Sequence, residues 1–114
     1  MSLRDSILAA VPPEEVVEVP GVGPVLVRGL SSAAYDSFLA AVNPEVNGKP
    51  TYNPENSRAH LVVRCAFDPE SKERLFADKD APAVGALRSD IVTALYVVAE
   101  RLSAGPPIKE AEKN

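Results

Sequence analysis

The sequence predicts an α+β fold, mostly helical, with one β-hairpin packed with about four to five helices. Two valine-rich runs, Val16-Val17-Glu18-Val19 and Val25-Leu26-Val27-Arg28, flank Pro20-Gly21-Val22-Gly23-Pro24, the composition of paired strands around a turn. Apolar residues recur at helical spacing in several later segments, most of them behind a capping residue. The 11 prolines fall mainly between these segments, where their missing donor does no harm.

The first segment starts at Ser2, a capping residue with Asp5 three positions on, and carries Leu3, Ile7 and Leu8 on one side as far as Ala10; Pro12-Pro13 stops it. About two turns of helix are marginal alone, so docking on the body is expected. In the hairpin, alternation sets Val17 and Val19 opposite Glu18, and Val25 and Val27 opposite Leu26 and Arg28. A two-stranded ribbon is marginal in water, so its apolar face must lie on helices or its edge must meet another strand.

Residues 31–43 read as a helix, capped by Ser31, with Ala34, Tyr35, Phe38, Leu39 and Val42 on its apolar side. Residues 44–53, rich in Pro, Asn, Gly and Tyr, read as a loop. Asn53-Pro54-Glu55 then offers a cap and a first-turn proline for a helix over 54–67, with Ala59, Val62, Val63 and Ala66 on one stripe. The run 61–67 equally suits a strand, and the cap decides for helix. Residues 68–79 mix charges around Leu75-Phe76 and read as a solvated turn pinned by that pair. Asp80-Ala81-Pro82 opens a short helix through Leu87, and Ser89 caps the longest one, 90–102, striped by Ile91, Ala94, Leu95, Val98 and Leu102. Past Gly105-Pro106-Pro107 the chain is polar and expected to be disordered, which gives one domain over 1–104 and a tail over 105–114.

Composition excludes much chemistry. With one histidine, His60, and one cysteine, Cys65, a Cys/His zinc site, an iron–sulfur cluster and a disulfide within the chain are out. Net charge is −4 with the basic residues scattered, which argues against a nucleic-acid surface. No apolar run approaches the ~20 residues of a membrane span, and the N-terminus lacks the layout of a signal peptide. A cytoplasmic protein with a reduced thiol, no metal and no cofactor is expected.

Individual motifs point the same way. Gly21-Val22-Gly23 lacks the third glycine and the following helix of a nucleotide loop, and Gly48-Lys49-Pro50-Thr51 lacks the upstream glycine of a phosphate loop. His60 lies between Arg58 and Arg64 with no serine elbow to serve, so a structural histidine is expected, and Cys65 reads as a small buried hydrophobe. The acids of 68–80 lack the ligand series of a calcium loop. The remaining candidates are interaction surfaces. They are the apolar hairpin face of Val17, Val19, Val25 and Val27, and a second flank on the last helix formed by Val92, Tyr96 and Ala99, which simple core would also explain.

The order of segments resembles a known family. The opening Met1-Ser2-Leu3-Arg4-Asp5-Ser6-Ile7-Leu8-Ala9-Ala10, an acidic β-segment, and Val25-Leu26-Val27-Arg28-Gly29-Leu30-Ser31 running into a helix look like the tail assembly chaperones of long-tailed (siphovirus-type) bacteriophages and prophages. Leu61-Val62-Val63-Arg64-Cys65-Ala66-Phe67-Asp68 and Arg74-Leu75-Phe76-Ala77-Asp78, followed by a short and a closing helix, are similar to the same family. The resemblance covers residues 1 to about 103. It implies a non-enzymatic protein of the host bacterial cytoplasm that binds tape-measure protein, self-associates, recruits tail-tube subunits and is absent from the finished virion. A longer frameshifted form is frequent in that family, and Glu112-Lys113-Asn114 is compatible with an A-rich slippery stretch. The alternative is a head–tail connector or tail-completion protein that stays in the particle. A small enzyme using His60 and nearby acids is the third possibility.

Overall fold

The computed structural model describes residues 2–104; the tail expected to be disordered lies outside them. Helix α1 (Leu3–Ala9) is capped by Ser2, whose hydroxyl accepts from the Asp5 N–H. Strands β1 (Glu14–Val19) and β2 (Gly23–Arg28) form the expected hairpin, longer than predicted at the start of β1 and entering β2 two residues earlier. Pro20 and Gly21, the latter at φ +78°, make the turn, and the Val22 N–H donates to Val19 O. A trans-proline followed by a residue at positive φ is the signature of a type II turn.

Helix α2 (Ser32–Val42) is capped by Ser31 as expected, but only Val42 of its apolar side is buried; Tyr35 and Leu39 remain exposed. The stretch read as a loop contains a second, small hairpin, β3 (Glu45–Val46) and β4 (Lys49–Pro50). Asn47 and Gly48 both have positive φ, the requirement of a tight two-residue hairpin turn.

Helix α3 is shorter than predicted, Ser57–Cys65, and Ala66–Phe67 leaves it as strand β5, which adds to β2. Both readings of the 61–67 run are therefore partly right. Pro54 does not sit in the first helical turn: Asn53 and Pro54 close turns onto Glu55 and Ser57, and the cap position falls to Asn56 in the left-handed region. After the charged turn and a 3-10 turn at Asp78–Asp80, helix α4 (Ala81–Gly85) and helix α5 (Ser89–Ala104) complete the fold. The result is α+β and mostly helical, with a three-stranded antiparallel sheet in the order β1-β2-β5.

Register assigns the two sheet faces. Val17 opposes Val25, and Val27 opposes both Glu15 and Ala66, so these side chains share the face that meets α5. Val19, Val25, Val27, Val62, Val63, Leu95 and Ala99 are part of one buried cluster there. The other face carries Glu14, Val16, Glu18, Leu26, Arg28 and Phe67. Alternation sets Leu26 away from the core with Arg28, yet it is only 2% exposed, between Val16 and Phe67 in the register. The third strand explains the difference, because it turns the centre of β2 into an interior position. Arg28 spans this face, bonded to Glu14 at 3.0 Å and lying 4.5 Å above the Phe67 ring.

The Gly29 N–H donates to Pro13 O at 2.9 Å, extending the ladder by one pair and fixing its parity. Odd residues of β1 therefore face β2 with their backbone groups, and those of Glu14, Val16 and Glu18 face outward along an edge that no strand among the described residues pairs with.

Candidate functional site

The hairpin face and the α5 flank proposed from the sequence are brought together, but inside the protein. Val19, Val25, Val27, Val92 and Ala99 are buried in the chain's own core, and Val17 packs partly buried against it. This corrects the expectation that they form an interaction surface. Helix α5 is wedged between the β1-β2 sheet and α3, so both of its flanks are occupied by the chain itself. Tyr96 is likewise partly buried, its hydroxyl donating to Glu100 at 2.6 Å and its ring beneath Arg58.

Apolar surface is instead left open in three places. Helix α1 buries none of its residues: Leu3 is 78%, Ile7 64%, Leu8 66% and the following Val11 80% exposed. This corrects the expected docking of α1. The short link through Val11-Pro12-Pro13 holds it off the body, since Pro13 is pinned to Gly29 and two adjacent prolines cannot fold back tightly. A groove of about 410 Å³ runs between α2 and α5, lined by Tyr35, Phe38, Leu61, Tyr96, Glu100 and Ser103. Near the hairpin turn a smaller cleft of about 210 Å³ has purely apolar walls, among them Val19, Val25, Phe76 and Ile91, with Val22, Leu75 and Leu87 exposed at its mouth.

The polar groups are engaged in holding elements together. Arg64, on α3, has its side chain 7% exposed; it donates to Ser37 Oγ on α2 and to His60 O, and meets Asp78 at 3.4 Å. Arg74 donates to Asp78 at 2.7 Å and to Val63 O at 2.7 Å, so one carboxylate joins two guanidiniums to α3. The Arg74 hydrogen bond and both positive charges hold the Asp78 carboxyl below the usual carboxylate range. His60 is partly buried, its Nδ1 has no hydrogen-bond partner among the described residues, and burial followed by the Arg64 charge lowers its pKa. It lies beside a cation, a poor setting for a general base that must become positive. Cys65 is buried, and burial pushes its thiol up to about 11, against weaker opposing effects from Ser103 and the two arginines. A thiol so shielded is a poor nucleophile at neutral pH.

Among the described residues, no group of three or more His, Cys, Asp or Glu is placed to hold a metal ion, and no helix is long and apolar enough to cross a membrane. What sequence reasoning missed is the exposed α1 stripe and the α2–α5 groove. The signal for the groove is the aromatic pair Tyr35 and Phe38, which helical spacing by itself assigns to core. Comparison of the chain with protein-family profiles, with curated proteins and with solved structures found no match.

Proposed function

We propose that this chain is a non-enzymatic tail assembly chaperone of long-tailed bacteriophages, acting in the host bacterial cytoplasm. It binds segments of tape-measure protein and recruits tail-tube subunits while the tail is built. The reading rests on the order of sequence segments that resembles this family. The structural observation that best supports it is the α2–α5 groove: Tyr35 and Phe38 on one wall, Tyr96 on the other and Leu61 at the floor suit the apolar face of a helix. Glu100 at the rim would favour a helix carrying Lys or Arg beside its apolar stripe. The engagement of Arg64, Arg74 and Asp78 in structural contacts, and the shielding of Cys65, support a binding role over bond chemistry.

The test is co-expression with a tape-measure protein, sought as a neighbouring gene that encodes a very long helical protein. The chaperone reading expects that protein to become soluble only in the presence of this chain, and Tyr35→Glu to abolish the effect without changing the fold, since Tyr35 is exposed. It also expects the chain to be missing from purified particles by mass spectrometry. Stoichiometric retention there would favour the connector or tail-completion role instead.

A further inference from the structure

We infer that the α2–α5 groove receives the chain's own segment Pro106-Pro107-Ile108-Lys109-Glu110, turned back at Gly105 so that it runs against α5, between Tyr35 and Phe38 on one side and Tyr96 on the other. Ser103 and Ala104, the last residues of α5, belong to the groove's own lining, so the chain leaves the helix at the mouth of the groove. Glycine is the residue on which helices most often reverse direction, and the Pro106 that follows cannot prolong α5. A proline pair favours the extended polyproline form, and grooves lined with aromatic rings are where such segments dock.

Charge and spacing match along the whole contact. Helical rise sets Glu100 about 6 Å and Tyr96 about 12 Å back from Ala104. Beyond them stands Arg58, its guanidinium 5.7 Å from the Tyr96 ring centroid and 3.4 Å from the Thr93 hydroxyl. A polyproline-like return from Gly105 sets Ile108 roughly 9 Å, Lys109 roughly 12 Å and Glu110 roughly 15 Å along the same path. Ile108 then lies among the rings, over the buried Leu61, and Lys109 reaches the Glu100 carboxylate where it accepts from Tyr96. Glu110 comes level with Arg58. The order acid then base on the groove meets base then acid on the segment. Tethering supplies the segment at an effective concentration on the order of millimolar, so even a weak contact is populated, and a helix arriving from elsewhere must displace it. The contact does not depend on what else the groove binds.

A nitroxide at Ala111→Cys in the full-length chain tests this by paramagnetic broadening of backbone amide signals, the native Cys65 being buried and shielded from the label. The amides of Tyr35, Phe38 and Tyr96 are expected to lose their signals. Those of Glu15 and Gly29, which meet the end of α5 from the sheet side, are expected to keep theirs. Adding Ile108→Ser and Lys109→Glu should abolish that asymmetry with the remaining spectrum unchanged, since both positions lie beyond α5. Equal loss on both sides of α5, as for a tail that merely sweeps past, overturns the inference, as does an asymmetry that survives the double change. So does loss of the groove signals from a nitrogen-15 chain without nitroxide when it is mixed with a nitroxide-bearing chain, because the occupant would then come from a second copy.

Discussion

Replacing Gly29 by alanine probes the joint between the sheet and α5. A methyl group at this position would lie 2.5 Å from the carbonyl oxygen of Leu102, 2.9 Å from its carbon and 3.3 Å from the Ser103 nitrogen. All three are backbone atoms of the longest helix, so none can swing aside. Restoring ordinary van der Waals separation requires the helix end and the chain at 29–30 to part by roughly 1 Å. That movement breaks the hydrogen bond from the Leu30 N–H to Ser103 Oγ, 3.0 Å long and partly buried. Overpacking of this kind costs about 1–3 kcal/mol and the lost bond about 0.5–1.5 kcal/mol, together about 2–4 kcal/mol. In a domain of this size such a loss lowers the melting temperature by roughly 10–30 °C. Urea unfolding followed by circular dichroism measures it, with the slope unchanged if both states remain as they were. Gly85→Ala is the control. Its methyl would meet the side-chain amide of Asn56, which is free to rotate, and alanine gains about 1 kcal/mol of helix propensity, so a net change within about 1 kcal/mol is expected. A Gly29→Ala loss below about 0.5 kcal/mol, or an equal loss at both glycines, would rule out the backbone clash as the cause.

Further outcomes follow from individual side chains. Leu26→Ala should cost about 2–5 kcal/mol by chemical denaturation, whereas Val16→Ala, an exposed neighbour on the same sheet face, should stay within about 1 kcal/mol. Because the native Cys65 thiol keeps its proton up to about 11 while the unfolded one releases it earlier, stability should fall by about 2–3 kcal/mol as pH rises from about 9 to about 11, and Cys65→Ala should lack that part of the decline. Asp78→Asn should cost about 1–2 kcal/mol at neutral pH, because the nearly buried Arg64 loses its counter-charge. That difference should be full above the ordinary carboxylate range and vanish as pH falls through the lowered native value, which unfolding curves on both chains would record.

Helices α2 and α5 were legible from their apolar spacing and from the serines near their starts, although only Ser31 caps its helix and Ser89 is itself the first residue of α5 rather than its cap. The hairpin was legible from its valines and from Pro20-Gly21. Other features depend on distant partners. Whether Ala66-Phe67 continues a helix or leaves it is decided by the open edge of β2, which local spacing does not encode. The same pairing buries Leu26. The small hairpin at 45–50 was hidden because its strands have two residues each, so Asn47-Gly48 had almost no alternation around it to reveal a turn between strands. For the candidate surfaces, apolarity alone set the hairpin face and the second α5 flank outward, whereas most of their residues lie in the core. A valine stripe looks identical whether its cover comes from the same chain or from another; Val92 and Ala99 are covered internally, while Leu3, Ile7 and Leu8 are not.

The outward edge of β1 bears on solubility. Its amides and carbonyls at Glu14, Val16 and Glu18, which no strand among the described residues pairs with, are the groups on which a fibril could add strand after strand. Two of these three positions carry carboxylates, and Pro13 and Pro20 bracket the strand with residues that cannot donate to a neighbour. A like strand stacked antiparallel about Val16 would set Glu14 against Glu18 twice over. Glu18→Val would remove that repulsion and leave an unbroken run of valine from position 16 to position 19 along an open edge, turning a guarded hairpin into a seed for aggregation.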